Sequence, residues 1–142
     1  MTYPPLLALP TEGAYQRHFE ELYCRGPVVT FDGILVRFRK TDFDHCCFES
    51  SKRDSVKDLF SPKRAERLDW IGEALRDPHS DRFVGWDRKT KCHVRNRRVT
   101  VVMGGYVVII ALTGTKAARF ITAYVADTPA SLEKIKAGPR WA

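Results

Sequence analysis

The 142-residue chain has no run of about eighteen apolar residues, so no part of it reads as a membrane-spanning helix. It has no Gly-x-Ser-x-Gly elbow, which argues against a Ser–His–Asp hydrolase. No glycine-rich phosphate loop is present, so nucleotide-driven chemistry has no support. Cysteines are few (Cys24, Cys46, Cys47 and Cys92) and form no Cys-x-x-Cys pair. Disulfide scaffolds and zinc sites prefer other spacings, so the thiols are expected to be reduced and mostly buried. If Cys46 and Cys47 lie on a strand, they point to opposite faces. The opening MTYPPLLALP has no basic start and is broken by prolines, so it does not read as a signal peptide, and a cytoplasmic location is expected. No metal and no cofactor are expected.

What is present is enough for one ordinary domain over residues 1–142. Hydrophobic residues make up 44% of the chain and charged ones 29%. The net charge is +7, and it is concentrated. Between Arg82 and Arg98 lie seven basic residues (Arg82, Arg88, Lys89, Lys91, Arg95, Arg97 and Arg98) and one acid, Asp87, which leaves +6 there. Residues 50–81 balance seven basic against seven acidic. Such an asymmetry attracts polyanions, although a solvated loop would also tolerate it.

Periodicity organises the chain. Tyr15, Phe19 and Leu22 lie at helical spacing from Glu12 to Tyr23, and Gly26-Pro27 stops that helix. Val28–Phe31 and Ile34–Phe38 read as strands around an Asp32-Gly33 turn. Residues 39–51 form a polar stretch whose end is expected to leave the sheet and turn. Ser61 is a suitable N-cap and Pro62 a suitable first residue for a helix running to Asp77-Pro78. Its stripe is Ala65, Leu68, Ile71 and Leu75. Arg82–Trp86, Arg97–Met103, Tyr106–Leu112 and Arg119–Ala126 read as strands, and Leu132–Lys136 as a short helix. Gly104-Gly105 is expected to be a two-residue turn. The class is therefore α+β, with N-terminal helical elements packed on one face of a C-terminal antiparallel meander of about four strands.

RNA cleavage without a metal needs a proton carrier and a charge stabiliser. Histidine suits the first role and arginine the second. His45 is the best-placed histidine, in the polar stretch before the central helix. His18 is mid-helix, His79 lies in a loop, and His93 lies in the basic segment. Arg64 lies four residues before Leu68 and extends the apolar stripe to the helix mouth, where free N–H groups favour an anion. Arg67 flanks it. On the last strand, alternation puts Phe120, Thr122 and Tyr124 on one face and Arg119, Ile121, Ala123 and Val125 on the other, toward the helices. Arg64 then meets Thr122 and Tyr124 only if the sheet curls or the helix mouth lies near a strand end.

Three segments together resemble a known family: Phe43–Ser50, then Ser61–Ile71, then Phe120–Tyr124. They are similar to the phage-associated branch of the barnase–EndoU–colicin–RelE-like (BECR fold) nucleases, over roughly residues 43–127. The resemblance implies a metal-independent ribonuclease, toxin-type or phage-type, acting on tRNA or mRNA. It implies His45, Arg64 and Thr122 or Tyr124 as the catalytic set, with the general acid left among Tyr124, Lys63, His93 and water. An acidic antitoxin or immunity protein is an expected partner, and a bacterial host cytoplasm an expected location. RNA contacts are expected from Arg67, Trp86, Arg88, Lys89, Lys91, Arg95, Arg97 and Arg98. The alternatives are a non-catalytic nucleic-acid-binding module and a protein-interaction domain meeting an acidic partner.

Overall fold

The computed structural model describes residues 3–49, 59–87, 90–126 and 128–141. Ser50, Ser51, Arg88 and Lys89 lie outside the described residues. In chain order the elements begin with α1 (Glu12–Tyr23), β1 (Val28–Val29), β2 (Leu35–Arg37), α2 (Asp42–Cys47), β3 (Phe48–Glu49) and β4 (Leu59–Phe60). Then come α3 (Pro62–Ala65), α4 (Leu68–Arg76), β5 (Asp81–Asp87), β6 (Cys92–Val102), β7 (Tyr106–Leu112), β8 (Ala117–Val125) and α5 (Pro129–Lys136). Among the described residues no helix is long and apolar enough to cross a membrane.

The class is α+β, and β5 to β8 form the expected antiparallel meander. The sheet is nevertheless larger than its C-terminal half. Its order is β1-β2-β8-β7-β6-β5, and β2 runs parallel to β8. The N-terminal hairpin thus closes one side of the sheet. Its turn is wider than two residues: the Thr30 N–H bonds the Ile34 carbonyl at 2.9 Å, around Phe31, Asp32 and Gly33. Gly33 takes φ +86° there, which only glycine adopts cheaply. The Gly104-Gly105 turn also takes a third residue, Met103, and both glycines have positive φ.

The helical reading holds at the ends and fails in two middles. Thr11 caps α1, and Ser61 caps α3 with Pro62 in the first turn, as their side chains suit. The expected helix from Ser61 to Arg76 is broken between Ala65 and Leu68. There the Arg67 N–H bonds the Arg64 carbonyl at 3.2 Å, the Lys63 carbonyl takes the Arg67 guanidinium at 2.7 Å, and the Glu66 carbonyl accepts the Leu7 N–H at 2.8 Å. The stripe survives the break, with Ala65, Leu68, Ile71 and Leu75 all buried. The polar stretch, to which no element was assigned, contains a helix, α2, and Phe48–Glu49 toward its end leave the main sheet to form β3. Cys46 and Cys47 are therefore helical, both buried, with sulfurs 3.5 Å apart rather than on opposite faces. Cys24 is half-buried and Cys92 exposed.

Helices α1 to α4 cover one face of the sheet. Phe19, Tyr23, Phe38, Phe43, Leu68 and Phe120 form the centre of that core. Phe38 stacks on Phe120 and on Tyr23, with centroids 4.7 Å apart in each pair. Helix α5 does not join them: Leu132 and Ile135 pack on the opposite face, over Phe83, Val99, Val101 and Val107. Helices thus occupy both faces, because the chain passes around the sheet after β8.

Candidate active site

The last turn of a helix leaves carbonyls without partners. In α2 two of these are taken from outside. The Thr122 hydroxyl on β8 donates to the His45 carbonyl at 3.0 Å, and the Ser61 N–H donates to the Cys47 carbonyl at 2.7 Å. The first bond ties α2 to the last strand, and the second ties it to the mouth of α3. Beyond Cys47 the chain continues as β3, which pairs with β4 through Phe48–Phe60 and Glu49–Leu59.

Arg64 lies at the centre of this junction. Its Nε is 3.7 Å from the Glu49 carboxylate, and its guanidinium carbon is 5.7 Å from the centre of the Tyr124 ring. Its side chain is 19% exposed, so the charge is partly screened from water yet reachable. The His45 side chain is exposed on α2, and its main chain is held by Thr122. Four of the residues singled out from the sequence therefore meet in one region. Glu49 was not singled out, and no spacing signal marks it; it joins through the β3–β4 pairing.

The apparent conflict of faces resolves through a bulge. Ile109 pairs with Thr122 but Ile110 pairs with Phe120, so Ile121 is an extra residue in β8. Phe120 consequently turns into the helical core, fully buried, contrary to strict alternation. Past the bulge Ala123 is buried against the helices, while Thr122 and Tyr124 project from the opposite side. They still reach α2 and Arg64 because β2 pairs β8 only over Ala117–Arg119. Beyond Arg119 that edge of β8 is flanked by helices, and side chains can meet around it.

The other histidines lie elsewhere. His18 Nε2 is 2.6 Å from the Asp69 carboxylate, and His93 packs edge-on to Trp86 at 5.2 Å. His79 is exposed in the loop after α4, and only its main-chain N–H bonds the Asp77 carboxylate, at 2.8 Å. Among the described residues no three His, Cys, Asp or Glu side chains are grouped to hold a metal ion.

The basic segment forms the β5–β6 hairpin, and its residues divide by environment. Trp86, Lys91 and Arg95 are exposed. Arg97 is half-buried, with Nη1 3.4 Å from the Trp86 carbonyl. Arg98 is unlike the surface contact expected of it. It points under the N-terminal hairpin, fully buried, with Nη1 2.9 Å from the Asp32 carboxylate. Burial lowers its pKa, and Asp32 works against that shift. Arg67 is also committed, donating to the Lys63 carbonyl at 2.7 Å and to Glu66 at 2.8 Å. Beside the hairpin, Val84, His93, Arg95, Pro139, Arg140 and Trp141 line a cleft of about 300 Å³.

Compared with family models, curated proteins and solved structures, the chain matches none.

Proposed function

We propose that the protein is a metal-independent endoribonuclease of the toxin or phage type, acting at the junction of α2, β3, α3 and β8. The observation that carries this reading is the convergence of Arg64, Glu49 and Tyr124 next to the point where Thr122 ties the His45 main chain to β8. In the reaction the ribose 2′-hydroxyl gives up its proton and its oxygen attacks phosphorus. The P–O5′ bond breaks, the 5′-oxygen gains a proton, and a 2′,3′-cyclic phosphate remains. His45 is the proton carrier, since imidazole titrates near neutrality. Arg64 stabilises the charge on the phosphorane with its planar fork of donors, and Glu49 and Tyr124 hold that fork in place. RNA is the substrate, and an acidic antitoxin or immunity protein would suit the basic surface.

The test is incubation of the protein with total RNA in EDTA, beside a His45→Ala variant. Discrete fragments ending in 2′,3′-cyclic phosphate from the parent alone support the reading. Equal cleavage by both removes His45 from the site, and no cleavage by the parent sinks the reading.

A second reading is a nucleic-acid-binding module without catalysis. The cleft between the β5–β6 hairpin and the C-terminal segment favours it, because two arginines and an indole line it. It predicts salt-sensitive retention of intact RNA that His45→Ala leaves unchanged.

A further inference from the structure

Strands β2 and β8 alternate strongly. Val36, Ala118 and Phe120 are buried against the helices, while Leu35, Arg37 and Arg119 are exposed on the other face. The pairing registers then align three arginines. Arg37 pairs with Arg119, Arg119 with Ala111, and Ala111 with Arg97. Residues paired across strands share a face, so the three form one row perpendicular to the strands. At about 4.8 Å per strand, Arg37 and Arg97 stand about 14 Å apart at the backbone. Helix α5 covers the adjoining part of this face, over Phe83, Val99, Val101 and Val107 with Tyr124 at its margin, and stops short of the row.

The row is costly unless something meets it. Like charges directly opposite on neighbouring strands repel, and Arg37 faces Arg119 with no offset. Neither forms an ion pair among the described residues, and Arg97 lies over Gly85 of β5 with Nη1 3.4 Å from the Trp86 carbonyl. Exposed Leu35 and Val29, paired with each other, flank the row with apolar surface. Arg119 also shares its strand and face with Thr122 and Tyr124, just past the bulge at Ile121.

We propose that the row Arg37–Arg119–Arg97 is a binding track for the backbone of single-stranded RNA, which crosses the part of the sheet face that α5 leaves uncovered, beside Thr122. Arginine pairs phosphate oxygens, and the aliphatic flank of Leu35 and Val29 lays apolar surface beside them. The track rests on RNA being the ligand but not on its cleavage.

The test measures binding of a labelled single-stranded RNA to the full chain carrying His45→Ala, across a salt series. Each phosphate contact contributes a slope of about −0.7 in log K against log salt for single strands. Arg37→Gln and Arg119→Gln are each expected to weaken binding several-fold and to flatten the slope by about 0.7. Arg119→Lys is expected to keep the slope. Arg17→Gln, an exposed arginine on α1, is the control for net charge and is expected to change neither. Equal effects of Arg17→Gln and Arg37→Gln would overturn the track in favour of general charge. Poly-glutamate bound as tightly as RNA, with the same dependence on Arg37 and Arg119, would overturn RNA in favour of an acidic protein. RNA cleaved by the parent in EDTA with unchanged slopes for the row variants sinks the track and leaves the nuclease standing. A flattened slope without cleavage by the parent does the reverse.

Discussion

The Thr122 hydroxyl reaches back 77 positions to donate to the main-chain carbonyl of His45 at 3.0 Å. That one bond joins the end of the chain's last strand to the helix carrying the proposed proton carrier. Thr122→Val keeps the shape and removes the donor. The expected stability loss is about 1 kcal/mol, the net worth of one such bond. RNA cleavage is expected to fall by more than that loss explains, while Thr122→Ser retains it. Urea unfolding and cleavage rates measured on the same preparations separate the two effects; equal rates for Val and the parent would remove Thr122 from the site.

Asp32 holds the buried guanidinium of Arg98. Removing one partner of a buried pair leaves the other charge uncompensated, at about 3–5 kcal/mol. Asp32 is one-third exposed, so water can partly replace it, and Asp32→Ala is expected near the low end, about 3 kcal/mol. Urea midpoints check this; a loss within error of zero would mean that water alone satisfies Arg98.

The same pair predicts acid sensitivity. Burial pushes the Asp32 carboxyl up, but the Thr30 hydroxyl and Arg98 outweigh it, and the net shift is downward. A depressed carboxylate contributes stability that is fully present above the unfolded value of about 4 and lost as pH falls through the folded one. The stability gap between the parent and Asp32→Asn is therefore expected to be constant from about pH 5 to 7 and to narrow below about pH 4. A gap that widened on acidification would contradict the assignment.

Tyr23 bridges α1 to α4 from a buried position, donating to the Leu68 carbonyl and accepting the Gly72 N–H at 3.0 Å. Tyr23→Phe leaves both groups short of a partner, and the expected cost is about 1–3 kcal/mol. Calorimetry or denaturant unfolding reads it directly, and a Tm matching the parent would show that the helix closes on itself.

Thiol labelling should follow burial. Cys92 is exposed, whereas Cys46 and Cys47 are buried side by side. The Cys46 thiol is pushed well up by its hydrogen bond with Cys47, then by burial and by the neighbouring Cys47 charge. Iodoacetamide is expected to modify Cys92 first, and Cys46 and Cys47 only after unfolding. Mass spectrometry of the native digest checks the order; early labelling of Cys46 would show that α2 opens.

Local chemistry was enough for whatever is decided within a few residues. Glu12–Tyr23 is a helix because its apolar spacing and its Thr11 cap agree, and the Asp32-Gly33 and Gly104-Gly105 turns fall where the glycines allow positive φ. The stripe from Ala65 to Leu75 and the four-strand meander were also legible, whereas the contacts of Thr122 with the His45 main chain and of Arg64 with the Tyr124 ring carry no signal in spacing.

Only the tertiary structure decided the rest, because it depends on partners far along the chain. The bulge at Ile121 follows from register against β7, and it alone sends Phe120 inward and Thr122 and Tyr124 outward. At the break after Ala65 the Lys63 carbonyl takes the Arg67 guanidinium and the Glu66 carbonyl takes the Leu7 N–H. Arg98 is buried rather than offered to solvent because the hairpin turn brings Asp32 over it. The arginine row needs β2 to lie parallel to β8, a pairing between residues some eighty positions apart that leaves no trace in either strand's own alternation. Periodicity tells which residues share a face of one element; hydrogen-bond register between elements decides which residues of different elements share a site.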